Sequence, residues 1–112
     1  PNDVYEVVID GSLEPGSLSY GELLIPGRSD EQILLFAHCC HPSLANDNLS
    51  GIAMLVELAR ILSASSPRYT YRCVFAPGTI GCITWLSQNQ SELDKVKMGL
   101  VAAVLGDPGQ LT

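Results

Sequence analysis

The residues best suited to chemistry lie together in one short segment. His38 and His41 are the two histidines of the chain, and Asp47 follows shortly after them. Zinc binds imidazole nitrogen and carboxylate oxygen at about 2.0–2.2 Å, and catalytic zinc sites typically use three protein ligands and a water. The segment therefore predicts a metal site. Asp107, in a later Gly-Asp-Pro-Gly turn, is a further candidate ligand.

The sequence leaves the direction of His41 open. Side chains alternate along a strand, so His41 would face away from His38 unless the chain turns between them. Pro42 biases His41 toward an extended backbone but does not decide where its side chain points. We therefore weigh His38, Asp47 and Asp107 before His41.

Each candidate ligand also has an ordinary structural interpretation. Asp47 or Asn48 could cap the helix that follows, since both residue types are favoured at that position. Asp107 could be a simple turn residue. His38 could be a buried histidine whose hydrogen bonds are satisfied. The spacing alone does not choose between these roles and metal binding.

Short alternating elements would position these residues. Hydrophobic periodicity and turn-forming residues predict strands and helices separated by short connections. The predicted strands are 4–9, 18–25, 33–37, 69–76 and 100–105, and the predicted helices are 52–62 and 81–89. We expect the first two strands to pair as antiparallel neighbours.

This order of elements predicts an α/β fold. Strand, helix, strand, helix, strand favours a mostly parallel central sheet with helices on both faces, here with an antiparallel pair of strands near the N-terminus. Three loops should then meet at the carboxyl edge of the sheet. They carry His38 to Asp47, Gly78 and Asp107.

Composition limits the class of protein. The 112 residues are 46% hydrophobic and 16% charged, which predicts one globular domain over residues 1–112. A formal charge of −6 disfavours nucleic-acid binding, and no apolar run has the length of a membrane span. Neither a signal peptide nor a disulfide framework is evident, so we expect a cytoplasmic location with reduced cysteines. A thiol nucleophile at Cys39 or Cys40, activated by a histidine, is a weaker alternative chemistry without a supporting motif.

The run AHCCHPSLANDNLSG, residues 37–51, resembles the metal-site segment of zinc aminopeptidase-like domains. It is most similar to the branch labelled polysaccharide-biosynthesis-associated. The segments SLEPGSLSYGELLIPG, FAPGTIG and GDPG extend the resemblance over nearly the whole chain. The resemblance implies a zinc-peptidase-like fold, here in a shortened form.

The resemblance also implies roles for individual residues. His38 would be the first zinc ligand and Asp47 a bridging or single-metal ligand. Cys40 stands where relatives carry an aspartate that orients the site, which favours one zinc ion over two. Gly78 stands where relatives carry the general-base glutamate, and Thr79 where they carry a further carboxylate ligand. Relatives add a distal histidine ligand, and this chain has no histidine after His41.

These departures predict a metal-binding domain with weak or absent hydrolase activity. Loss of a positioned general base commonly costs a factor of about 10² to 10⁴ in rate. If activity survives, the substrate would be a peptide or an amide-bearing small molecule. The alternative is a non-catalytic assembly domain that forms a homodimer through an open edge of the sheet, because natural proteins cover such edges.

Overall fold

The computed structural model describes residues 3–109. Residues 3–20 contain neither a helix nor a strand, so the predicted strand at 4–9 is wrong. Its apolar side chains lie in solvent, with Val4 97% and Ile9 87% exposed. Residues of high β-propensity form a strand only where another strand pairs with them. Residues 4–9 have no strand partner in the part of the chain that the structure describes.

Four strands and two α-helices follow this segment. They are β1 (Gly21–Ile25), β2 (Ser29–His38), α1 (Gly51–Ser63), β3 (Tyr69–Ala76), α2 (Ile80–Gln88) and β4 (Val96–Val101). A distorted helical turn (Asn46–Ser50) precedes α1, and a 3₁₀ helix (Gln90–Lys95) precedes β4. The prediction for β3 is confirmed at both ends, and the helix predictions agree to within one residue. The last strand begins and ends four residues earlier than predicted.

The four strands form one sheet in the order β1-β3-β2-β4. β2 runs parallel to both β3 and β4, whereas β1 pairs antiparallel with β3. The predicted α/β class with a mostly parallel sheet is therefore confirmed. The predicted pairing between strands 4–9 and 18–25 is wrong, because the antiparallel partner of β1 comes from the distant residues 71–75.

One helix covers each face of the sheet. Alternate residues of β2 point to opposite faces. Leu35 and Ala37 pack with Leu55 and Ala59 of α1, while Leu34 and Phe36 pack on the other face around Trp85 of α2. This arrangement confirms the prediction of helices on both faces.

A partly buried charged cluster centred on Arg72 links the elements on the α2 face of the sheet. The side chain of Arg72 on β3 is only 9% exposed and pairs with Glu22 of β1 and Glu92 of the 3₁₀ helix. It also donates from Nε to Gln32 Oε1 at 2.9 Å. Trp85 Nε1 donates to the second oxygen of Glu22 at 2.9 Å. The charge of Arg72 is thus neutralised within the fold.

The parallel strands bring their carboxyl ends to one edge. His38 at the end of β2 lies opposite Ala76 at the end of β3, and Phe36 lies opposite Val101 at the end of β4. The loops that begin at residues 39, 77 and 102 therefore leave from the same edge. This register positions the candidate site.

The cysteines are all free thiols. Cys73 is buried in the sheet, and burial raises the pKa of its thiol. Cys39 and Cys40 are exposed in the loop after β2. Over residues 3–109, no helix is both long and apolar enough to cross a membrane.

Candidate functional site

His38 and Asp47 meet at the carboxyl edge of the sheet. His38 is the last residue of β2, and Asp47 lies in the distorted turn that leads into α1. His38 Nε2 is 2.5 Å from Asp47 Oδ1. This hydrogen bond lowers the pKa of the Asp47 carboxyl below its ordinary value. The pair joins two elements that are separate in sequence.

His41 reaches the same carboxylate from the other side. β2 ends at His38, and residues 39–44 form a loop that bends at Pro42 and Ser43. The loop places His41 Nε2 at 3.7 Å from Asp47 Oδ2. The structure therefore brings both imidazoles to one aspartate, and we call these three residues the His-Asp-His cluster. Its members are partly exposed, with Asp47 58% and His41 44% accessible.

Asn48 follows Asp47 directly, and its side chain is completely buried against His38 and the loop after β4. Its side-chain Nδ2 donates to Ala102 O at 2.8 Å, and its Oδ1 accepts from the backbone N–H of Val104 at 3.0 Å. These contacts link the turn before α1 to the loop after β4. Neither Asp47 nor Asn48 acts as a helix cap, since Ser50 occupies the cap position of α1 without a side-chain cap bond.

Gly51 makes room for Asn48. A Cβ atom at position 51 would lie 2.3 Å from Ala102 O and 2.6 Å from Asn48 Oδ1. Real contacts of Cβ atoms are longer than this, so no larger residue fits without displacing its neighbours. The Asn-Leu-Ser-Gly sequence was the signal for this arrangement, but sequence reasoning treated Asn48 only as a candidate cap.

Asp107 lies in a later turn. Within residues 3–109, its side chain makes no hydrogen bond or ion pair with the His-Asp-His cluster. Its Oδ1 accepts from the N–H of Gly109 at 2.8 Å, as in an ordinary aspartate turn. The preceding loop is tied to the turn before α1, because Gly106 N–H donates to Asn46 Oδ1 at 2.7 Å. Asp107 thus belongs to the expected edge of the sheet, but its carboxylate is used locally.

Gly78 lies beside His38 at the start of the loop before α2. A Cβ at this position would be 3.7 Å from the Cβ of His38 and 2.8 Å from Cys40 Sγ. The N–H of Gly78 donates to Cys40 Sγ at 2.9 Å. Thr79, the next residue, has a positive φ of 55°, which is rare for a β-branched residue. The position predicted for a general base therefore adjoins the cluster but carries no side chain.

The donor types of the cluster fit zinc, but their spacing is that of a hydrogen-bonded pair. Two ligands on one tetrahedral zinc lie about 3.3 Å apart when each bond is near 2.05 Å. His38 Nε2 and Asp47 Oδ1 are closer than that, at 2.5 Å. Among the described residues, no group of three or more histidine, cysteine, aspartate or glutamate side chains is arranged to hold a metal ion. Zinc binding would therefore require these side chains to separate.

Comparison with protein families identifies the family to which the chain belongs. The family model described as a domain of unknown function, DUF4910, matches residues 2–112. The chain belongs to this family. The DUF4910 domain described here is also 56% identical over 108 residues to a protein of Clostridium acetobutylicum, whose provisional name is polysaccharide biosynthesis protein with aminopeptidase-like domain. That match covers 96% of this chain and 25% of the relative.

A solved structure shows the same fold. A crystal structure from Clostridium acetobutylicum, provisionally described as a peptidase, matches with a TM-score of 0.78 and 53% sequence identity. The match covers 80% of this chain and 21% of that one. These findings confirm the resemblance to aminopeptidase-like domains. The DUF4910 domain spans about a quarter of the length of the relatives it matches.

Proposed function

We propose that this domain supplies His38 and Asp47 as ligands of a single zinc ion in a peptidase-like fold. The observation that carries the proposal is that the side chains of His38, Asp47 and His41 meet at the carboxyl edge of the sheet, around one carboxylate. His41, at 3.7 Å from the same carboxylate, is the candidate third ligand. The aminopeptidase-like relative and the peptidase-like fold support this assignment.

The reaction class that we propose is metal-assisted hydrolysis of a peptide or of an amide-bearing small molecule. A bound zinc ion would lower the pKa of a water molecule and polarise an amide carbonyl. His38 and Asp47 would hold the ion, and the loop at Gly78 would border the substrate. Because Gly78 has no side chain, it cannot take a proton from water. Loss of such a base costs a factor of about 10² to 10⁴, so we expect weak or absent hydrolysis by this chain.

Zinc content tests the ligand assignment. The purified protein is exposed to zinc, freed of unbound ion and analysed by mass spectrometry. We expect about one zinc per chain, lost in both His38→Ala and Asp47→Asn. Asp107→Asn is the matched control for the aspartate change, because its carboxylate bonds to Gly109 within the turn. Zinc retained after both ligand changes, or no zinc in the unchanged protein, would contradict the proposal.

Exposed thiols also bind zinc and need their own control. Cys39 and Cys40 are exposed beside the cluster. A Cys39→Ser/Cys40→Ser variant should keep its zinc if the histidine and the aspartate are the ligands. Aminoacyl substrates then test the activity of the zinc-loaded protein. Steady hydrolysis that disappears in His38→Ala would show that the domain is an active hydrolase despite Gly78.

The outer edge of β4 favours a second candidate function, assembly. Within residues 3–109, β4 pairs only with β2. Its apolar side chains are exposed on both faces, with Met98 62%, Leu100 49% and Val101 64% accessible. Apolar residues on both faces are typical of an interior parallel strand. We therefore propose that a second copy pairs with β4, forming a homodimer.

Sedimentation equilibrium tests the homodimer. We expect a dimer at micromolar concentration that dissociates in Val101→Lys. Ser87→Lys adds the same charge at an exposed position of α2, outside β4, and should leave the dimer intact. A monomer at micromolar concentration would eliminate the second copy as the partner of β4.

A further inference from the structure

We infer that Asn48 is a positioning residue that selects the tautomer of His38, placing the proton on Nε2 and thereby opposing zinc binding at that nitrogen. The inference about the tautomer rests on hydrogen bonds within the chain. Its consequence for zinc rests on the proposed function. Asn48 is therefore assigned a role in the chemistry of the site in addition to its role in holding loops together.

The orientation of the Asn48 amide is determined by two backbone groups. Ala102 O can only accept a hydrogen bond, and it lies 2.8 Å from Nδ2. The N–H of Val104 can only donate, and it lies 3.0 Å from Oδ1. If the amide were flipped, Asn48 Oδ1 would face Ala102 O, and the NH₂ group would face the N–H of Val104. Asn48 is fully buried, so these unmatched groups would have no other partner. The NH₂ group is therefore held on the side where the structure places it.

This NH₂ group faces the ring of His38. Asn48 Nδ2 lies 3.4 Å from His38 Nδ1 and 3.5 Å from the backbone oxygen of the same residue. An amide nitrogen is a donor only, so it can donate to an unprotonated Nδ1, whereas a proton on Nδ1 would point at the NH₂ group without an acceptor. In the neutral ring the proton is then on Nε2, where it is donated to Asp47 Oδ1 at 2.5 Å. Asn48 and Asp47 thus select the same tautomer from opposite sides of the ring.

Zinc requires the other tautomer. A neutral histidine that binds metal through Nε2 carries its proton on Nδ1 and donates it to a carboxylate, a carbonyl or water. Here the Nδ1 proton would point at the NH₂ group of Asn48. The first ligand is therefore positioned for a hydrogen bond to Asp47.

Nitrogen NMR of the metal-free 112-residue protein tests the tautomer. Long-range proton–nitrogen correlation spectra distinguish protonated from unprotonated ring nitrogens, at a pH well above the ordinary histidine pKa of about 6.5. A His41→Gln variant assigns the signals of His38. We expect the Nε2–H form in the unchanged protein. Predominance of the Nδ1–H form would overturn the inference, and this spectrum decides it even if no Asn48 variant folds.

Two matched variants test the consequence for zinc. Asn48→Asp replaces the NH₂ group with an acceptor and should shift His38 to the Nδ1–H form. It should also raise zinc affinity about tenfold or more, the usual scale of such supporting partners. Asn46→Asp adds the same charge beside Asp47, while its Oδ1 can still accept from Gly106 N–H. Equal gains in the two variants would attribute the effect to charge and overturn the assigned role toward zinc.

The two proposals fail separately. An Nε2–H tautomer in a protein that never binds zinc, in the unchanged form or as Asn48→Asp, would support the role of Asn48 and contradict the proposed metal site. An Nδ1–H tautomer in a protein that binds zinc through His38 would do the reverse.

Discussion

Replacing Gly51 with alanine tests the support of the site most directly, because local and tertiary effects predict opposite signs. Gly51 begins α1 with helical backbone angles of φ −66° and ψ −42°. Helix propensity alone would therefore favour alanine over glycine by up to about 1 kcal/mol. The tertiary contacts oppose this gain, because the new methyl group would lie 2.3 Å from Ala102 O and 2.6 Å from Asn48 Oδ1.

The size of the opposing effect can be estimated from those contacts. Inserting a methyl group into a closely packed site costs about 1–3 kcal/mol. Displacing Asn48 also threatens its hydrogen bonds to Ala102 and Val104, and each buried group left unpaired costs about 1–3 kcal/mol. With both hydrogen bonds lost, and after subtraction of the propensity gain, we expect a loss of about 2–8 kcal/mol. That is a large part of the roughly 5–15 kcal/mol that stabilises a typical domain.

Urea denaturation followed by tryptophan fluorescence measures this loss. Trp85 is the single tryptophan and is 2% exposed, so its emission should report the loss of the fold. Gly99→Ala on β4 is the matched control, because the nearest contact of its added Cβ would be 3.9 Å away. We expect that control to remain within about 1 kcal/mol of the unchanged protein. A Gly51→Ala protein as stable as the Gly99→Ala protein would refute the argument from close packing.

Two further predictions concern the charged cluster centred on Arg72. Arg72→Met should cost about 1–3 kcal/mol in urea denaturation, because it leaves the buried Gln32 Oε1 without its donor and removes the partner of Glu22 and Glu92. Arg60→Met is the control, because this side chain is 70% exposed and its ion pair with Glu57 should contribute little, and equal losses in the two variants would contradict the reasoning. The pKa of Glu92 lies below its ordinary value of 4.5, mainly because the carboxylate accepts a hydrogen bond from Lys95. The ionised carboxylate therefore stabilises the fold above pH 4.5. This contribution is lost as the pH falls from 4.5 through the lower pKa of the folded state. Stability measured against pH should therefore decline less in Glu92→Gln across that acidic range, and an unchanged slope would argue against the ion pair.

Several elements were predictable because their signals are local. The apolar spacing of α1 and the β-branched and aromatic residues of β3 stand out in short windows of sequence, and both elements lie where predicted. The strand predicted at 4–9 shows the limit of this approach. Its residues have high β-propensity, but pairing depends on a partner that propensity does not identify. The same reason explains why the antiparallel partner of β1 was missed.

Some features of the candidate site were likewise predictable from the sequence, and others were not. The order of elements placed His38 and Gly78 at the same edge, because parallel strands bring their carboxyl ends together. The direction of His41 depended on a turn in the loop after β2, and local sequence did not determine that turn. Asp107 was predicted at the same edge as a candidate ligand, but its hydrogen bond to Gly109 became visible only in three dimensions.

The sequence by itself determined the α/β class, the main helix and the segment in which the histidines and Asp47 lie, because periodicity and residue chemistry are properties of neighbours along the chain. Only the tertiary structure decided that both imidazoles share one carboxylate and that Asn48 lies buried against His38. Those contacts depend on Ala102 and Val104, more than fifty residues from Asn48 along the chain. Hydrogen bonds over such separations exist only once the sheet and α1 have packed, since packing is what brings donor and acceptor within reach.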